Sequence, residues 1–218
     1  MENSIFMWSE KYRPTSICNC VISHLSEQEK SLLRNAENDK KIPNLLLFGV
    51  QGSGKTTIAR ILCDERKYSV NHFNGSLIGK ANIESLEHMI MTNSLLHDHR
   101  CILIDEVDGV TQEGQRGLRA LIEKNVSGVS WVFTANYRSS IIDPLQSRMI
   151  CIDFSPPSPD KRAVCVAGIV QRCQTILQAE GVPSVSDGEV RNIVGKHYPD
   201  IRQIVNELQV RYSLAKAA

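Results

Sequence analysis

Gly49-Val50-Gln51-Gly52-Ser53-Gly54-Lys55-Thr56 constrains this chain more than any other stretch. It is a complete Gly-x-x-x-x-Gly-Lys-Thr loop, preceded by the apolar run Leu45–Phe48 and followed by a helical pattern over Thr57–Arg66. Glycines let the backbone N–H groups of such a loop turn inward around an anion. The N-terminus of the following helix adds partial positive charge. In that setting Lys55 supplies a point charge to the β- and γ-phosphates of a nucleoside triphosphate, and the Thr56 hydroxyl is a ligand for Mg²⁺. Gly49, Gln51, Gly52, Ser53, Gly54 and Thr57 complete the expected phosphate-binding set.

Leu45–Phe48 is continuous in apolar residues and bounded by Pro43 and Gly49, as a strand buried on both faces would be. Cys101–Ile104, Trp131–Thr134 and Met149–Phe154 read the same way, and the more polar Tyr68–Phe73 supplies a fifth strand. Helical patterns lie between them at Thr57–Arg66, Ile83–Leu96 and Gln112–Lys124, and Ser26–Glu29 is a capping box that starts a helix burying Leu32, Leu33 and Ala36. Alternation of this kind predicts a parallel sheet covered on both sides. Ser155-Pro156-Pro157-Ser158-Pro159 breaks the pattern, and the remainder reads as helix. Val164, Ile169, Val170, Cys173, Ile176 and Leu177 share a face of the first such helix; Ile201, Ile204, Val205 and Leu208 form the apolar stripe of the last. An α/β domain followed by a smaller helical one, divided near residue 156, is the expected organisation.

Cys101-Ile102-Leu103-Ile104-Asp105-Glu106 ends a buried strand in two carboxylates, about fifty residues beyond the phosphate loop. In an open α/β sheet that strand end faces the ligand crevice. Asp105 is therefore expected to hold Mg²⁺, directly or through water, and Glu106 to polarise the attacking water. Glu106 separates an enzyme from a passive binder, because hydrolysis needs it and binding does not.

With these motifs in order, Ser9-Glu10-Lys11-Tyr12-Arg13-Pro14, the phosphate loop, Ile104-Asp105-Glu106-Val107-Asp108, Thr134-Ala135-Asn136, Gln146-Ser147-Arg148 and Pro199-Asp200-Ile201-Arg202 resemble the replication factor C small-subunit family of AAA+ clamp loaders, its bacteriophage branch above all. The resemblance runs over nearly the whole chain. It implies an AAA+ nucleotide-binding α/β domain over residues 1–155, with a parallel five-stranded sheet, and an all-helical lid over residues 156–218. It also implies ATP and Mg²⁺ as cofactors. Ser9, Glu10, Lys11, Tyr12 and Val21 would line the adenine pocket. Asn136 would be the sensor of the γ-phosphate, Arg202 would report the phosphates to the lid, and Arg148 would be the arginine finger offered to a neighbouring subunit. Lys80, Arg116 and Arg119 are the matching candidates for DNA phosphate contact, with Gln115 and Arg119 linking that surface to the ATP site. Met91, Leu95 and Leu96 are the candidates for insertion into a sliding clamp, or else cover the sheet edge. The family has cysteine where this chain has Met149, a side chain expected in the following strand. The family also continues into a helical collar that joins subunits into a pentamer, whereas this sequence stops at Ala218 after the lid.

The implied activity is an ATPase that opens a sliding clamp and places it on primer–template DNA. Another DNA-linked motor, such as a branch-migration helicase, and a nucleotide-binding scaffold subunit that never hydrolyses remain as alternatives. Twenty-five Lys+Arg against 24 Asp+Glu give a net charge of +1, which excludes attachment to nucleic acid by bulk charge but not a local basic surface. Seven scattered cysteines without a Cys-x-x-Cys pair point to reduced thiols in a cytoplasmic setting. The first thirteen residues lack a signal-peptide core, and no apolar run approaches membrane-spanning length.

Overall fold

The computed structural model describes residues 7–39, 41–91, 99–124, 128–182 and 185–213. In chain order the elements are α1 (Trp8–Lys11), α2 (Glu27–Asn38), β1 (Leu45–Phe48), α3 (Lys55–Leu62), β2 (Ser69–Asn74), α4 (Lys80–Met91), β3 (Arg100–Asp105), α5 (Gln112–Glu123), β4 (Val129–Ala135), α6 (Asp143–Gln146), β5 (Ile150–Asp153), α7 (Pro159–Ala179), α8 (Asp187–His197) and α9 (Ile201–Tyr212). The five strands form one parallel sheet in the order β2-β3-β4-β1-β5. The α/β class and the parallel five-stranded sheet expected from the sequence are both present.

β1 shows why a strand in such a sheet has no polar face. Leu45 and Leu47 pack with Leu33 of α2 and Ile58 and Leu62 of α3, while Leu46 and Phe48 pack with Leu86 of α4 and Leu118 of α5. Helices cover both sides, so every second residue has nowhere wet to point. β1 lies between β4 and β5, and the connection from β1 to β2 runs across the sheet opposite to that from β4 to β5. The crevice between diverging connections opens at the C-terminal strand ends, where an open α/β sheet binds its ligand.

Helix starts follow local chemistry. Ser26 and Glu29 form the expected capping box on α2, which buries Leu33 and Ala36 and half-buries Leu32. The helix after the phosphate loop is shorter than the pattern Thr57–Arg66, ending at Leu62. Asp64 takes the backbone N–H and the guanidinium of Arg66, and its carbonyl accepts from Lys67 and Tyr68, so this short side chain closes a turn instead of continuing the helix. α4 begins at Lys80, ahead of the expected Ile83, and is described as far as Met91; the expected end at Leu96 lies outside the described residues. Met149 precedes β5 and is buried against the α4–α5 side of the sheet.

α7, α8 and α9 enclose a separate apolar cluster that includes Ile169, Cys173, Leu177, Ile193, Ile204 and Leu208. Val164 does not join it, being 58% exposed, because the inward stripe of α7 runs through Cys165, Ile169, Cys173 and Ile176, one position round the helix. Trp8, from the other end of the chain, is buried in this same cluster. No described helix is long and apolar enough to cross a membrane, and the cysteines are unpaired thiols.

Candidate active site

The phosphate loop is shaped by two glycines at which a side chain would be strained. Gly49 has φ +135°, and a Cβ there would lie 2.5 Å from the carbonyl carbon of Phe154. Gly52 has φ +73°, with the Asp200 carboxylate where a side chain would go. Its carbonyl accepts the N–H of Ile201, the first residue of α9, at 3.0 Å. The helical part of the chain is therefore docked directly onto the loop.

Lys55 opens α3 and is buried, with Nζ donating to the carbonyls of Gly49 and Val50, each at 2.7 Å, and to Asn136 Oδ1 at 3.3 Å. Burial pushes its pKa down to about 8, against the opposing pull of Asp108, Asp105 and Glu106. Thr56, the next residue, donates its hydroxyl to Asp105 Oδ1 at 2.9 Å. Thr134, at the end of β4, also donates to Asp105, while its oxygen accepts the Glu106 N–H at 3.0 Å. Glu106 adopts φ +57°, the left-handed region unusual for a residue with a side chain, and its carboxylate is exposed. Asn136 is set in place by its backbone N–H, which donates to Asp108 Oδ2 at 3.1 Å; Asp108 Oδ1 is buried without a partner.

Lys55, Thr56, Asp105, Glu106 and Asn136, expected from motifs far apart in sequence, thus line one cleft, together with Gln51, Gly52, Ser53, Gly54 and Thr57. Thr134 and Asp108 tie the end of β3 to the end of β4; both stood inside quoted motifs without a role of their own. Mg²⁺ favours one or two protein oxygen ligands, with phosphate oxygens and water completing the octahedron. Thr56 and Asp105, a hydroxyl and a carboxylate already within bonding distance, fit that requirement.

Away from the loop the same cleft turns apolar, toward Trp8, Tyr12, Pro14, Val21, Ile176 and Val205. Ser9, Tyr12 and Val21 are on its wall as expected, but Glu10 and Lys11 are not. Glu10 pairs with Arg13, which holds its carboxyl below the ordinary range, and Lys11 reaches Glu180 at 2.7 Å. In a short helix adjacent side chains diverge, so only part of the motif can face one cavity. Arg172, Ile176 and Val205 were not singled out by sequence reasoning; nothing in an apolar helix stripe marks which members border a ligand.

Arg202 lines the cleft from α9. Arg148 does not. Exposed just before β5, it donates to Glu123 Oε1 at 2.6 Å. The same carboxylate receives Arg119 at 2.9 and 3.1 Å, so Arg119 does not pair with Gln115. Gln115 is buried instead, donating to the carbonyl of Val110 just before α5 and tying α5 to the segment after β4 through Ser140 and Ile142. Arg116 is exposed on α5, and Lys80 is the first residue of α4. Met91 ends α4 with 65% of its surface exposed; Leu95 and Leu96 lie outside the described residues.

Comparison with known proteins matches residues 45–155 to the family described as ATPase family associated with various cellular activities (AAA). The chain is 30% identical, over 98% of its own length and 66% of the relative's, to replication factor C small subunit 2 of Pyrobaculum islandicum. It is 31% identical to the sliding-clamp-loader large subunit of enterobacteria phage T4, covering 91% of this chain and 62% of that one. It thus spans just under two thirds of the curated relatives it matches. Among solved structures, the RuvB Holliday junction branch migration motor of Thermotoga maritima superposes with a TM-score of 0.67 at 18% identity, covering 94% of this chain and 67% of that one, a likeness of fold. The matched segment runs from β1, through the phosphate loop and the Asp105-Glu106 strand end, to the break after β5. With the phosphate loop and the two carboxylates inside the matched segment, the chain belongs to the AAA family of ATPases.

Proposed function

We propose that this chain hydrolyses ATP and, assembled with companion subunits, uses ATP binding and hydrolysis to open a sliding clamp and place it on primer–template DNA in the cytoplasm. The observation that carries the chemistry is the convergence of Lys55, Thr56, Asp105, Glu106 and Asn136 on one cleft. The clamp and DNA rest on relatives named as clamp-loader and replication factor C subunits, at 30–31% identity over 91–98% of the chain.

In this reading residues 1–155 bind the nucleotide and residues 156–218 act as a lid. The Lys55 ammonium and the N–H groups opening α3 neutralise the β- and γ-phosphates. Thr56 and Asp105 would hold Mg²⁺, which when bound would withdraw charge from the phosphate oxygens. Glu106 accepts a hydrogen bond from the attacking water and aligns it, and Asn136 fixes its position beside the γ-phosphate. Arg202 links the phosphates to α9. Arg148 reaches the γ-phosphate of a neighbouring subunit, leaving Glu123 to do so. Lys80, Arg116 and Arg119 contact the DNA backbone, Arg119 likewise by exchanging Glu123 for phosphate. Met91, with Leu95 and Leu96, enters the clamp. A pentamer is the proposed assembly.

Turnover measured with and without primed DNA and a candidate clamp tests the whole. Glu106→Gln should keep ATP affinity and lose about 10²–10⁴-fold in turnover, the usual worth of a positioned general base. Equal loss of affinity in Glu106→Gln and Lys55→Ala would overturn the role given to Glu106. Processive unwinding without any clamp would favour a branch-migration motor, and a wild-type assembly that binds ATP without turnover would be a scaffold.

A further inference from the structure

Residues 8–12 lie near the start of the described chain, yet they are fastened to its last helices. Trp8 is 5% exposed inside the cluster formed by α7, α8 and α9, and its backbone N–H donates to Gln209 Oε1 of α9 at 2.7 Å. The Tyr12 carbonyl accepts from Arg172 of α7 at 2.6 Å. Both the Tyr12 hydroxyl and the Lys11 ammonium donate to one oxygen of Glu180, each at 2.7 Å. Glu180 caps the C-terminus of α7 and is largely withdrawn from solvent, with 14% of its side chain exposed. Five residues on, the attachment has changed: Ile17 is fully buried beneath the sheet, with its N–H on Glu37 of α2 at 3.2 Å. The chain crosses from one body to the other between residues 13 and 16.

The wall at the apolar end of the cleft is thus a strip of N-terminal chain held against the helical body. Its Tyr12 ring stands edge-on to Trp8, with centroids 6.4 Å apart. We propose that Glu180 is a positioning residue for the base of the nucleotide, clasping Lys11 and Tyr12 so that Ser9 and Tyr12 present a fixed surface to the base. The proposal rests on the nucleotide reading above. Among the described residues, none of the hydrogen bonds of the phosphate grip of Lys55, Thr56 and Asp105 runs to this clasp. Loosening the clasp should therefore weaken recognition of the base and leave the phosphates untouched. The bond to Glu180 raises the Lys11 pKa, so the ammonium stays charged through neutral pH.

The test compares affinity for ATP with affinity for inorganic tripolyphosphate, which has the phosphates but no base. Glu180→Ala should weaken ATP about tenfold, as loss of a charge-assisted contact would, and leave tripolyphosphate within about twofold. Glu180→Gln, whose amide oxygen still accepts from Tyr12, should fall between wild type and Glu180→Ala. Unchanged ATP affinity in Glu180→Ala, or equal weakening of both ligands, would overturn the proposal. If that variant fails to fold by circular dichroism, Tyr12→Phe and Lys11→Met each remove one donor, and should weaken ATP alone by a smaller factor; no selective loss in either would overturn it. Wild-type protein binding neither ligand would instead defeat the nucleotide reading itself.

Discussion

The two ends of the cleft are built on opposite plans. At the phosphate end, recognition comes from backbone geometry and from charges at the C-terminal ends of β1, β3 and β4, each contributing a short contiguous motif. At the apolar end it comes from three segments scattered through the chain, residues 8–21, 172–176 and 201–205, brought together only by tertiary contacts. An anion can be held only by a few arrangements of glycine, lysine and helix terminus, whereas many apolar side chains can flank a flat base. The first end is consequently stereotyped, and the second is free to vary in composition as long as its volume is kept.

This difference can be broken most decisively at Lys55. Lys55→Ala should reduce affinity for both ATP and tripolyphosphate by about 10²-fold or more, since it removes a charge-assisted contact from a largely desolvated site. Isothermal titration of the two ligands would check it; selective loss of ATP alone would mean that Lys55 does not grip phosphate.

A pH series sharpens the same end. Lys55 sits at about 8 in the folded protein against an ordinary 10.5, chiefly through burial. Between those values the unfolded chain binds the extra proton, so the protein without nucleotide gains stability as pH rises from about 8 toward 10.5. ATP needs the ammonium, so affinity should move the other way, falling up to about tenfold per unit above pH 8, with proton uptake on binding. Titration in buffers of different ionisation enthalpy measures that proton. Lys55→Ala should abolish both trends, and a flat profile in the wild type would refute the assignment.

The smallest effect belongs to the apolar end. Val205→Ala trims one wall residue that also belongs to the helical cluster. ATP affinity should fall about threefold, tripolyphosphate affinity should stay constant, and stability should drop by about 1–3 kcal/mol in denaturant titration. A loss shared equally by both ligands would erase the distinction between the two ends.

Legibility followed the same divide. The sheet, the phosphate loop and the Asp105-Glu106 strand end could be read directly, because burial on both faces leaves uninterrupted apolar runs and phosphate binding dictates residue types at fixed spacing. Tyr12 and Val21 entered through family resemblance, while Glu10 and Lys11, taken from the same motif, point elsewhere. Arg172 and Glu180 left no local signal: their partners lie about 160 residues away in the chain, and only folding brings them together. The end of α3 was misread for a local reason, since propensity alone does not reveal that Asp64 will prefer a turn. Likewise the Gln115–Arg119 spacing allows a contact that Glu123 and the segment after β4 outcompete.

Glu106 carries a wider consequence. It occupies a backbone conformation that glycine adopts without strain, and it is kept there by the Thr134 hydroxyl on its N–H and by the short helical turn that follows. Under the role proposed for Glu106, resistance to heat and catalytic competence therefore pull in different directions at this one position. A laboratory lineage selected for thermal endurance alone would be rewarded for substituting glycine there, and would emerge as a sturdier vessel for ATP that could no longer spend it.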